Sequence, residues 1–193
     1  MAKISMDVLR KFEELGIIDD FLAEDKAIRL VDRPYANSII GCLELSHRLN
    51  EAGNLYLIIG GLAVACYVRQ VNYEGFLKWR GTNDIDILVL NKDYGERALR
   101  NCGYEFRQLL KNKGGAIGPI YVYAREDNGE TLVVGLRTGI KSVNKDITSY
   151  LLKNATKVDL WGVPINVPMI RDLVAMKRDA NRPKDSRSHL SNV

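Results

Sequence analysis

Arg80-Gly81-Thr82-Asn83-Asp84-Ile85-Asp86-Ile87-Leu88-Val89-Leu90, read together with the upstream pair Gly60-Gly61, decides how this chain folds. Two carboxylates one residue apart stand at the head of an apolar run. On a β-strand alternate side chains share a face, so Asp84 and Asp86 point the same way, about 6–7 Å apart. Ile85, Ile87 and Val89 point the other way, into a core. Like charges held side by side raise each other's pKa unless a cation lies between them. Mg²⁺ suits that place: it takes oxygen ligands, accepts one or two carboxylates, and leaves its other positions to water and substrate phosphates. Asp84 and Asp86 are therefore the candidate metal ligands. The plain alternative is an exposed edge strand with two solvated acids.

Upstream, Leu55-Tyr56-Leu57-Ile58-Ile59 reads as a buried strand and Leu62 to Gln70 as a short helix, with Gly60-Gly61 at the junction. Glycines there let a phosphate approach the backbone, and a helix N-terminus offers N–H groups and a positive dipole end. A strand, a glycine turn, a helix and a strand bearing Asp-x-Asp form a phosphate cradle beside a metal site. The combination suits phosphoryl or nucleotidyl transfer.

These residues resemble the polymerase-β-type nucleotidyltransferase superfamily, and within it the small abortive-infection (type IV toxin) nucleotidyltransferases. The first motif of that group, a Gly-Gly turn, is matched by Gly60-Gly61-Leu62-Ala63. The second, Arg-x-Thr/Ser-x-Asp-hydrophobic-Asp, is matched by Arg80 to Asp86. The third, a late-helix Lys followed by Arg-x-Lys-Asp, is matched by Lys177, Arg182, Lys184 and Asp185. The resemblance spans roughly residues 36 to 190.

The resemblance implies Mg²⁺-dependent transfer of NMP from an NTP to a hydroxyl. Asp84 and Asp86 would hold the metal, and Gly60, Gly61, Arg80, Thr82 and Lys177 would contact the nucleotide. Lys177 would bind the triphosphate or activate the acceptor hydroxyl. Its spacing from Ile170, Leu173 and Val174 continues an inward helical stripe, where a buried ammonium needs an anion or a route to water. Two-metal displacements, with metals about 3.5–4 Å apart, need a third carboxylate. In the superfamily it sits on a neighbouring strand, and the matching stretch Val133-Val134-Gly135-Leu136 places Val134 there. Glu130, Asp159 and Asp185 are the available substitutes, and the abortive-infection pattern favours Asp185 as a catalytic residue. Arg80 either contacts phosphate through its guanidinium fork or pairs with Asp84. Thr82 hydrogen-bonds a phosphate or holds the loop. His189 is a base or an exposed tail side chain. Tyr73, Phe76 and Trp79, interleaved with Lys78 and Arg80, stack on bases or pack on the domain.

At 193 residues, with 27% charged and 46% hydrophobic content, the chain is an ordinary globular protein with a sizeable core. No apolar run approaches membrane-spanning length, and the first residues lack the apolar core of a signal peptide. Cys42, Cys66 and Cys102 have no zinc spacing and read as buried free thiols of a cytoplasmic protein, which leaves the Asn154-Ala155-Thr156 sequon idle. From Arg171 onward six Lys or Arg face three Asp, and Lys141, Lys145, Lys153 and Lys157 precede them. Such a basic half fits a nucleoside triphosphate or RNA, or is a solvated surface. The resemblance adds tRNA as the leading acceptor, an antitoxin protein as a partner and a toxin–antitoxin or phage-defence setting. Its rivals are a catalytically impaired nucleotide- or RNA-binding relative and a transferase acting on a small hydroxylated molecule.

The fold class expected is α/β (α+β): a small mixed sheet flanked by helices, with a C-terminal helix. Residues 1–35 form a helical N-terminal extension and 36–193 a nucleotidyltransferase-like domain. Ser5 caps a first helix ending near Gly16, and 19–33 holds a second. A stronger helix runs from Asn37 or Ser38 to Gly53, and another from about Asp93 to Asn101. Tyr104–Leu110, Pro119–Ala124 and Thr131–Arg137 read as strands, Asp146–Asn154 as a helix and 158–167 as a hairpin. A last helix starts near Pro168.

Overall fold

The computed structural model describes residues 36–72, 75, 82, 84–111, 118–127, 129–142 and 145–179, with 10, 13 and 14. The rest of the expected N-terminal extension, the aromatic and basic residues of the 73–80 loop, Arg182, Lys184, Asp185 and His189 lie outside them. The elements in chain order are α1 (Ala36–Glu51), β1 (Tyr56–Ile59), α2 (Gly60–Val71), β2 (Asp84–Val89), α3 (Lys92–Asn101), β3 (Glu105–Leu110), β4 (Ile120–Asp127) and β5 (Glu130–Arg137). They continue with β6 (Lys141–Ser142), β7 (Lys145–Asp146), α4 (Thr148–Lys153), β8 (Thr156–Leu160), β9 (Val163–Val167) and α5 (Ile170–Asp179).

Five strands form one mixed sheet in the order β1-β2-β5-β4-β3. Only β2 and β5 run parallel; the remaining neighbours are antiparallel. A parallel pair needs a crossover, which α3 and the β3–β4 hairpin supply. The period-two alternation of β2 sorts the two faces. Ile85, Ile87 and Val89 join Tyr56, Ile58, Val134, Leu136 and Tyr123 in a core covered by α1, α2 and α3. Leu57, Ile59 and Leu88 face the other way and meet Ile140, Leu151 and Leu152, with Met176 of α5 packed on them. That second cluster covers one part of its face, and the Asp84 and Asp86 side chains extend the same face beyond it.

Around the sheet the elements follow local chemistry. Ile39, Ile40, Leu43 and Leu49 of α1 are buried, as their helical spacing requires. The Asn91 side chain accepts from the Asp93 N–H at 2.9 Å and caps α3. The β8–β9 hairpin turns on Trp161 and Gly162, with φ of 49° and 81°, the left-handed pair a two-residue turn demands. Arg69 stacks on the Trp161 ring at 4.6 Å.

Two local expectations change. Asp146 pairs with Lys141 in a short hairpin, and its carboxylate accepts the Thr148 N–H, so it precedes α4 rather than opening it. On α5 Leu173 is buried, whereas Ile170 is 38% exposed and Met176 packs inward. Leu173 packs in the first core cluster and Met176 on the second, so the neighbours of α5 rather than the spacing of its apolar residues set the inward face.

Candidate active site

β1 ends at Ile59, directly opposite Asp86 on β2, and the next residue, Gly60, starts α2. Gly60 has φ +72°, a conformation other residues rarely adopt, and a Cβ there would lie 2.7 Å from Asp86 Oδ2. On the other flank Gly135 of β5 is the register partner of Asp86, and a Cβ there would lie 2.9 Å from Oδ1. The Asp86 carboxylate thus sits in a slot between two glycines, one oxygen against each. Either side chain would fill the slot. Gly60 thus does more than admit a phosphate: it makes room for the acid.

Asp84 is exposed on the same face, while Ile85 between them is fully buried, so both carboxylates look out of the sheet as the alternation requires. The Thr82 hydroxyl donates to Asp84 Oδ1. The Thr82 carbonyl in turn accepts from Ser38 Oγ of α1 at 2.6 Å, with Ser38 2% exposed. Its Cβ would stand 3.1 Å from a Cβ on Gly61, so the second glycine lets the loop close down on α2. Ser38, Thr82 and Asp84 form one chain of contacts from the buried helix to the exposed acid. The N-terminus of α2 has no side-chain cap, which leaves its first N–H groups facing this corner.

Val134 is not the position facing the carboxylates. It pairs with Ile85 and is 0% exposed in the core, whereas Gly135 lies opposite Asp86 and Val133 opposite Asp84. A one-residue offset in register moves a side chain to the other face, which is why the sequence match chose wrongly. Glu130 does not compensate: it sits at the start of β5, opposite Asp127 of β4, and accepts from Asn37. Asp159 does not either, since its carboxylate accepts the Gly162 N–H and closes the β8–β9 turn. Among the described residues no cluster of three His, Cys, Asp or Glu forms.

Arg137 is the residue that motif reading missed. It lies two positions beyond Gly135, and its Nη2 donates to Asp86 Oδ1 at 3.4 Å. Alternation counted from Gly135 would have found it, once the register was known. Lys177 is half-buried on α5, which packs against α2 and against β6. Gly60, Gly61, Thr82, Asp84 and Asp86 are brought together; Arg80 and Asp185 fall outside the described residues.

Two carboxylates on one face, one of them held in a glycine slot, match the one or two acids that Mg²⁺ takes beside phosphate. The residues fit.

This fold, a five-stranded mixed sheet flanked by helices with Asp-x-Asp next to a glycine turn, is the nucleotidyltransferase-like fold. No family model and no curated protein matches the chain. Solved structures do. A candidate nucleotidyltransferase of Thermotoga maritima superposes with a TM-score of 0.55 at 16% identity, over 80% of this chain and 89% of that one. ANT(2'')-Ia, solved with adenylyl-2''-tobramycin, superposes at 0.50 and 13% identity, over 75% of this chain and 74% of its own. At such identities the likeness is one of fold.

Proposed function

We propose that the chain is a Mg²⁺-dependent nucleotidyltransferase, moving NMP from an NTP to a hydroxyl acceptor. The observation that carries this reading is the Asp86 slot. Two glycines on two different elements are given over to seating one carboxylate, beside a second on the same face and an uncapped helix N-terminus. A solvated edge strand has no use for that arrangement. The metal, when bound, supplies charge that neutralises the triphosphate and acidifies the attacking hydroxyl.

The chain's own residues hold the reactants. Asp86 and Asp84 are the metal-holding pair, and Thr82 fixes the rotamer of Asp84. Gly60 and Gly61 bring the α2 N–H groups to a phosphate, and Lys177 and Arg80 add cationic contacts. In the reaction the acceptor oxygen bonds to the α-phosphorus and the bond from that phosphorus to its bridging oxygen breaks. Pyrophosphate leaves with the electron pair, and the hydroxyl proton passes to water.

An RNA acceptor, with tRNA first, is supported by the exposed Lys141, Lys145, Lys153, Lys157, Arg171 and Arg178 of the C-terminal half. A toxin–antitoxin setting and an antitoxin partner rest on the three sequence motifs. A cytoplasmic location rests on the three free, buried cysteines; no helix among the described residues is long and apolar enough to cross a membrane. Transfer of label from each α-labelled NTP to total tRNA, and to aminoglycosides as small hydroxylated acceptors, tests the reading. Label that appears with Mg²⁺ and vanishes in Asp84→Asn establishes it and the acceptor class; none with any NTP refutes it.

A further inference from the structure

Resting on the nucleotidyltransferase reading, we infer that Arg137 is a phosphate-binding residue of this site. Strand alternation puts Val133, Gly135 and Arg137 on the carboxylate face and Val134 and Leu136 in the core. The positions around Gly135 are Val133 on its own strand and, across the pairing with β4, Val122 and Ala124. The charged group that β5 adds to this face beside Asp86 is the Arg137 guanidinium.

Its placement is that of a group held ready rather than one spent on a structural pair. Nη2 to Asp86 Oδ1 is 3.4 Å, longer than the 2.7–2.9 Å usual for a charge-assisted bond. Arg137 Nε is buried, and among the described residues it has no hydrogen-bond acceptor. A planar fork of five donors that makes one long contact keeps most of its capacity for an incoming anion. Its side chain is 22% exposed, so an anion can reach it.

Charge points the same way. Asp84, Asp86 and Arg137 sum to one negative charge before anything binds. One divalent cation turns the site positive, which attracts a triphosphate. Gly135 then has two consequences. It admits the Asp86 carboxylate, and it leaves open the space between that acid and Arg137. The substrate group assigned to Arg137 is a phosphate of the NTP, and the base plays no part in the contact.

The test uses inorganic tripolyphosphate, which has no base, with the full-length chain and its Arg137→Gln and Arg137→Lys variants. Calorimetric titration in EDTA reads phosphate binding without metal. We expect Arg137→Gln to bind tripolyphosphate about 10- to 100-fold more weakly in EDTA. Arg137→Lys, keeping charge but losing the fork, should fall between, and it decides the question if Arg137→Gln fails to fold. Unchanged metal-free affinity in a folded variant overturns the inference while leaving the transferase reading intact. Wild-type chain that binds neither tripolyphosphate nor any NTP overturns both. An arginine that merely braces Asp86 would change the melting temperature but not metal-free phosphate affinity.

Discussion

Replacing Gly135 by alanine separates the stability of this chain from its chemistry. A Cβ at that position would lie 2.9 Å from Asp86 Oδ1 and 3.4 Å from Ile120 Cγ2. Carbon-to-oxygen contacts settle at about 3.3 Å or more, so the carboxylate must retreat by roughly 0.4 Å. It has room only towards Gly60, and tilting there costs about 0.5–1.5 kcal/mol of rotamer strain. Alanine in a strand returns about 0.5–1 kcal/mol through the lower entropy of its unfolded chain. The two nearly cancel, and the melting temperature should move by only about 2–4 °C in either direction. Chemistry has no such compensation. A 1 Å misplacement costs about a hundredfold, so a retreat of roughly 0.4 Å should lower transfer about fivefold.

Gly60→Ala approaches the same carboxylate from the opposite side, at 2.7 Å to Oδ2 and with φ +72°. It adds roughly 1–2 kcal/mol of left-handed backbone strain and should lose both stability and activity. Thermal melts by circular dichroism, Mn²⁺ affinity by spin resonance and initial transfer rates measure the three quantities together. Gly135→Ala with wild-type Mn²⁺ affinity and wild-type rate would refute the slot argument, whatever its melting temperature.

Other outcomes follow from particular contacts. Ser38→Ala removes the 2.6 Å bond to the Thr82 carbonyl; it should cost about 1 kcal/mol and raise the KM for nucleotide more than it lowers kcat. Arg125→Met deletes the cation that meets Glu44 at 2.6 Å and stacks on Tyr104 at 4.7 Å. With both side chains only partly exposed, chemical denaturation should show a loss of about 2–3 kcal/mol, below the full cost of a buried pair. Burial pushes the Cys42 thiol up to about 12 from 9.0 and Cys66 well above its ordinary value. A raised folded pKa stabilises fully below the unfolded pKa, so stability should decline as pH climbs from about 9 towards 12. At pH 8 a thiol reagent should label the folded chain slowly and all three cysteines quickly in denaturant; rapid labelling of Cys42 in the folded state would contradict its burial.

Much of the architecture was legible because short-range patterns carry it. The strand before Gly60, the helix after it, the Asp-x-Asp strand, the helix closing near Gly103 and the Trp161-Gly162 hairpin were all read within one to three residues. Each is announced by local periodicity or by a turn residue. The errors arose where tertiary partners intervene. Helical spacing puts Ile170 on the inward stripe of the last helix, but Leu173 packs in the first core cluster and Met176 on the second, while Ile170 stays exposed. Ser38 was read only as a helix start, although its hydroxyl reaches the loop that holds Thr82, 44 residues away.

The sequence by itself determined that Asp84 and Asp86 share a face, because alternation within a strand is a property of the backbone. It also determined that a glycine turn and a helix N-terminus stand beside them, through the order of the elements. Tertiary structure alone decided which residues of β5 meet those acids. Strand register is set by packing between segments about fifty residues apart, and period-two alternation makes a one-residue error a change of face. That register puts Val134 in the core, Gly135 against Asp86, and Arg137, 51 residues along the chain from Asp86, beside its carboxylate.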